Sequence, residues 1–85
     1  METRIAVMAI IVEDVDAVER LNAVLHDFGA YIIGRMGIPY RDRGVNVVSI
    51  AIDAPQDVIA GLAGRIGGIG GVSVKTAYSS KIFKD

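Results

Sequence analysis

The first apolar run, Ile5-Ala6-Val7-Met8-Ala9-Ile10-Ile11-Val12, is hydrophobic at both parities, which predicts a strand covered on both faces. Val18, Leu21, Leu25 and Phe28 then recur at three- and four-residue spacing, the apolar stripe of a helix. Asp14 reads as its N-cap, Asp16 complements the positive helix start, and Gly29 suits the left-handed position past its end. Tyr31–Arg41 is apolar enough for a second strand but is interrupted by Arg35, Gly34, Gly37 and Pro39. Proline has no N–H to donate, so this strand belongs at a sheet edge. Plain alternation puts Ile32, Met36, Ile38 and Tyr40 on the helix-facing side, and Tyr31, Ile33, Arg35, Pro39 and Arg41 on the open side.

Arg41-Asp42-Arg43-Gly44 is a turn into a third strand, Val45–Ile52, with Gly44 free to take positive φ. Asp53, Pro55 and Gln56 have the form of a helix start, and Ile59, Leu62 and Ile66 form the stripe that follows. Gly61 and Gly64 weaken that helix relative to alanine and predict close packing against it. Gly67–Gly71 ends it. Val72, Val74, Thr76 and Tyr78 alternate with Ser73, Lys75, Ala77 and Ser79 as a half-buried last strand, and Ile82–Asp85 reads as a short tail.

The order β-α-β-β-α-β predicts an α+β, ferredoxin-like domain spanning residues 1–85, a four-stranded antiparallel sheet with two helices on one face. Strands one and three, the most apolar, take the centre. Ile5, Val7, Ala9 and Ile11 leave no polar side for the uncovered face, which predicts a homo-oligomer, dimer or tetramer, joined through that face and the edge strands. Composition agrees: 52% of residues are hydrophobic and mean hydropathy is +0.44, more than a chain this short hides within itself.

A net charge of −1 supplies no basic field for nucleic acid or anionic lipid. The absence of cysteine removes disulfides, thiolate nucleophiles and Cys-based metal sites, and His26 is the lone histidine. The run Ile5–Val12 is too short to span a membrane, so a soluble cytoplasmic protein is the expectation.

Known chemistries of this plan fail on particular residues. Gly67–Gly71 lies between a helix and a strand, whereas phosphate loops lead from a strand into a helix N-terminus. The third strand, Arg43-Gly44-Val45-Asn46-Val47-Val48-Ser49-Ile50, has no aromatic on which a base could stack. Glu13, Asp14 and Asp16, where an acylphosphatase would hold its anion, repel a phosphoryl group and act as helix-start acids. His26 beside Asp27 reads as a helix-end residue. No nucleophile–base pair, cofactor or metal site emerges, so the expectation is a non-enzyme. Arg35, Arg41 and Arg43 suit either an anion or effector pocket or charges that keep an edge strand from aggregating.

Leu21–Phe28, then Ile33-Gly34-Arg35-Met36-Gly37-Ile38-Pro39, then Ala60–Gly67 leading to Gly71-Val72-Ser73-Val74-Lys75-Thr76, together resemble the proposed regulators of the iron-only hydrogenase system, small stand-alone ACT-like proteins. The Arg-x-Gly-x-Pro run is the most specific piece. The resemblance implies an ACT-type fold, a homo-oligomer and a regulatory role linked to the [FeFe]-hydrogenase system. Amino-acid-sensing ACT domains carry an Asp-x-Pro-Gly type loop where this chain has Glu13-Asp14-Val15-Asp16-Ala17. The nickel-responsive repressor uses histidines and a cysteine that this chain lacks. Arg35, Met36, Gly37, Pro39 and Arg41 are the effector or interface candidates. The competing reading is a structural or assembly partner without a small ligand.

Overall fold

The computed structural model describes residues 1–84. Each apolar run forms the kind of element its period dictates: β1 (Glu2–Val12), α1 (Val18–Asp27), β2 (Ile32–Tyr40), β3 (Val45–Ala54), α2 (Gln56–Gly67) and β4 (Val72–Lys84). The strands make one antiparallel sheet in the order β2-β3-β1-β4. The two most hydrophobic strands therefore sit at the centre, and Pro39 lies on an edge strand as its missing N–H requires. The fold is ferredoxin-like and ACT-like.

One face of the sheet is covered by both helices. Met8, Ile10 and Val12 of β1 and Ile50 and Ile52 of β3 meet Leu21 and Leu25 of α1 and Ile59, Leu62 and Ile66 of α2 in a single buried core. Burying side chains of this kind stabilises by about 1.5–3 kcal/mol each. Val18 and Phe28 flank the α1 stripe, partly buried against the same core. Asp14 caps one turn earlier than expected: its Oδ1 accepts the Asp16 N–H at 3.0 Å and starts a single 3-10 turn, Val15–Ala17. The cap position of α1 itself is Ala17, without a side-chain bond.

Several local expectations are corrected. Asp53 does not cap α2, because β3 continues to Ala54 and Pro55 takes the cap position without a side-chain bond. Gly29 lies in a 3-10 turn, Gly29–Tyr31, and the positive-φ glycines are Gly44 and Gly71. Gly61 and Gly64 are not packed against, since a Cβ at either would meet nothing within 4 Å. Ile82–Lys84 is not a tail; it pairs with Glu2–Arg4 as the end of β4, while Asp85 lies outside the described residues.

Arg4 explains how that last segment is held. Between Arg4 and Ala6 the pairing jumps from Ile82 to Tyr78, leaving extra β4 residues to bulge out of the ladder. Arg4 Nη2 donates to the freed Ser79 carbonyl at 2.8 Å, Nη1 donates to Gln56 Oε1 at 2.8 Å, and the guanidinium lies 4.7 Å from the Tyr78 ring centroid. One side chain thus ties β1, β4 and the start of α2. Hydrogen bonds to a charged donor contribute about 1.5–3 kcal/mol. An Arg4→Met variant, which keeps the apolar stem, is expected to speed amide hydrogen exchange at residues 79–84 by at least about tenfold, with the β1–β3 amides unchanged. Unaltered protection at 79–84 would refute the role given to Arg4.

Candidate functional site

The site is set by one extra residue. Ile32 pairs with Ile52, but the next register position pairs Gly34 with Ala51, so Ile33 is left over as a bulge. A one-residue insertion moves every following side chain to the other face. Arg35 is then opposite Ile50, Gly37 opposite Val48 and Pro39 opposite Asn46, in the register rows that face the helices. Met36, Ile38 and Tyr40 pair with Ser49, Val47 and Val45 on the open side. Beyond Ile32 the alternation expected from sequence is therefore reversed.

The reversal has a consequence on each face of β2. On the helix side Arg35, Gly37 and Pro39 supply little apolar bulk, and the space between β2 and α1 stays open as a cleft of about 220 Å³. Its floor and walls are Val12, Val18, Leu21 and Val48, and its polar atoms come from Asn22, Arg35 and Asn46. Arg35 Nη2 donates to Asn22 Oδ1 at 2.7 Å, which positions the guanidinium across the opening between strand and helix. No carboxylate lines the cleft, and the ion pairs among the described residues are Arg65–Asp27 and Lys84–Glu2. Arg35 is thus oriented without being neutralised.

On the open side the register builds a nearly neutral apolar surface. Its successive rows read Gly34-Ala51-Val7-Ala77, Met36-Ser49-Ala9-Lys75 and Ile38-Val47-Ile11-Ser73. Lys75, on edge strand β4, is the one ionised group in those three rows, and the adjoining row pairs Ile5 with the exposed Asp53. Met36 is 58% exposed, Ile38 49% and Val7 45%. Apolar side chains so exposed in neighbouring rows form a patch rather than scattered surface residues.

Of the residues singled out from sequence, Arg35, Gly37 and Pro39 come together in the cleft, with Ile38 also at its edge. Met36 belongs to the open face. Arg41 lies in the 3-10 turn Arg41–Arg43, closed by Gly44 at φ 67°, and does not reach the cleft. Asn22 and Asn46 were missed. Asn46 had a signal, since it is polar in the β3 parity that otherwise holds Val48, Ile50 and Ile52. A larger hollow of about 560 Å³ lies beside Arg4, but that guanidinium is already bound to Gln56 and Ser79.

Comparison with known proteins agrees with this architecture. Residues 4–76 match the TM1266-like family, described as proposed regulators of the iron-only hydrogenase system. The chain belongs to that family. Protein TM1266 of Thermotoga maritima, itself uncharacterised, superimposes on 89% of the chain with a TM-score of 0.86 at 34% identity, and the match covers 96% of TM1266. A formyltetrahydrofolate deformylase from Pseudomonas putida KT2440 is similar over 86% of the chain with a TM-score of 0.62. At 15% identity, and over 28% of the deformylase, that likeness shows the fold alone. No curated protein matches the chain. Among the described residues of this TM1266-like chain, no helix is long and apolar enough to cross a membrane.

Proposed function

We propose that the chain is a non-catalytic regulator of the iron-only hydrogenase system, a self-associating ACT-like domain that takes a small effector in the cleft between α1 and β2. The observation that carries the reading is the two-sidedness of β2 after its bulge. The same strand presents Arg35 to the cleft and Met36 and Ile38 to the apolar open face. A ligand that pulls on Arg35 acts on a strand whose other side belongs to the surface proposed to join subunits, so the effector site and the subunit surface share one element.

A second copy of this chain is the occupant that the open face suits. Its three middle rows hold a single charge, Lys75, and the next row adds the opposite charge of Asp53, so the face has no net charge to select a charged partner. Its small residues, Ala9 and Ala51 on the central strands and Ala77 on β4, give a flat surface for sheet-on-sheet packing. Catalysis is left out of the reading because the polar groups of the cleft are amides and a guanidinium. None of them exchanges a proton readily near neutral pH.

Light-scattering mass across a concentration series tests the assembly half. A mass that is a multiple of 9.0 kDa is expected, most simply a dimer or tetramer. A 9.0 kDa species at every concentration would overturn it. An oligomer that binds no small molecule would favour the structural or assembly-partner role instead.

A further inference from the structure

Resting on the effector reading, we propose that the cleft selects a small organic monocarboxylate, its carboxylate on Arg35 and its hydrocarbon body against Val12, Val18, Leu21 and Val48. Arg35 is the only ionisable side chain among the lining residues. Its one hydrogen bond goes to the neutral Asn22 Oδ1, which occupies one of five guanidinium donors and leaves the rest of the fork for a bidentate acceptor. Planar carboxylate matches that fork. One cation balances one negative charge; a phosphate dianion would leave charge unmatched against a helix that already carries Glu19 in its first turn.

The remaining lining sets the body of the ligand. Apolar side chains form the floor, which suits hydrocarbon and rejects a second charge. A volume of about 220 Å³ falls below the roughly 300–1,000 Å³ of drug-sized sites, so the body is short. Gly37 lines the cleft, and a Cβ built there meets nothing within 4 Å. A side chain added at Gly37 therefore occupies ligand space without disturbing the fold.

The test is an amide-resolved NMR titration of the full chain with sodium isovalerate, the isosteric uncharged isovaleramide, and inorganic phosphate. Isovalerate is expected to give saturable shifts at Asn22, Arg35, Gly37 and Asn46. Isovaleramide should bind at least about tenfold more weakly, as loss of charge-assisted hydrogen bonds requires. Arg35→Gln should weaken isovalerate by a similar factor and leave isovaleramide unchanged, while Gly37→Val should weaken both. If isovaleramide binds as tightly as isovalerate, or Arg35→Gln makes no difference, the anion preference is overturned while an effector cleft stands. Tighter binding of phosphate overturns the monocarboxylate in favour of an inorganic anion. If no probe moves the cleft residues, the proposal is lost, and a small molecule retained by the native protein would still uphold the effector reading.

Discussion

A Val7→Glu variant is expected to behave as a folded monomer at concentrations where the parent chain is expected to self-associate. Val7 lies on central strand β1 in the row Gly34-Ala51-Val7-Ala77, is 45% exposed in the single chain, and points away from the core that contains Met8 and Ile10. A carboxylate there stays hydrated in the monomer, so the cost to folding is confined to a modest strand propensity. In a sheet-on-sheet interface the same carboxylate is buried without a partner, and in a symmetric dimer it is buried in both copies. The penalty is several kcal/mol per ion. Dissociation should therefore strengthen by at least about 100-fold, read by sedimentation or light scattering, with the circular dichroism spectrum retained. An unchanged assembly state would mean that subunits meet elsewhere, with the β2 or β4 edge as the remaining route.

Gly71→Ala is expected to be among the most destabilising single-methyl additions in the chain. Gly71 sits at φ +81°, where an L side chain is strained, and a Cβ there would lie 2.5 Å from Asp14 Cβ. The contact cannot relax easily. The Gly71 carbonyl accepts the Glu13 N–H at 2.7 Å and the Asp14 N–H at 3.3 Å, and Asp14 is the residue whose side chain starts the turn into α1. Positive φ at a non-glycine residue costs about 1–3 kcal/mol, and overpacking adds a similar amount. A loss of about 3 kcal/mol is expected, on the order of 15 °C in Tm for a domain of this size. Gly61→Ala is the control: a Cβ there meets nothing within 4 Å, and it should stabilise α2 slightly. Equal effects at the two glycines would contradict this account of the junction.

The fold was legible because the hydrophobic periods are unambiguous. The two-sided run of β1, the stripe Val18-Leu21-Leu25-Phe28 and the stripe Ile59-Leu62-Ile66 each admit one element, and their order leaves little topological choice. The candidate site was legible as a stretch but not as a geometry. Arg35, Gly37 and Pro39 stood out because a guanidinium, a glycine and an imino acid are poor choices for an ordinary strand. Which face they take depends on Ile33 dropping out of the ladder, and parity counted along a single chain has no means of registering a bulge. Only pairing with Ile52 and Ala51 reveals it. Gly34, next to the bulge, was the available hint.

The end of β4 shows the same limitation. Ile82 and Phe83 stand side by side between Lys81 and Lys84, with no alternation to announce a strand, and their segment is held by pairing with Thr3 and Arg4 at the far end of the sequence. Long-range partners of this kind have no local signature. Asn46 differs, because its polarity in an otherwise apolar parity was visible and marks where the core stops and the cleft starts.

We propose that this chain assembles through its open sheet face and holds a small effector in the α1–β2 cleft. Native mass spectrometry of the protein purified from its own host tests both parts at once. The expected result is an oligomer carrying a small-molecule adduct, with the adduct lost and the oligomer kept in Arg35→Gln. A bare monomer of 9.0 kDa would contradict it.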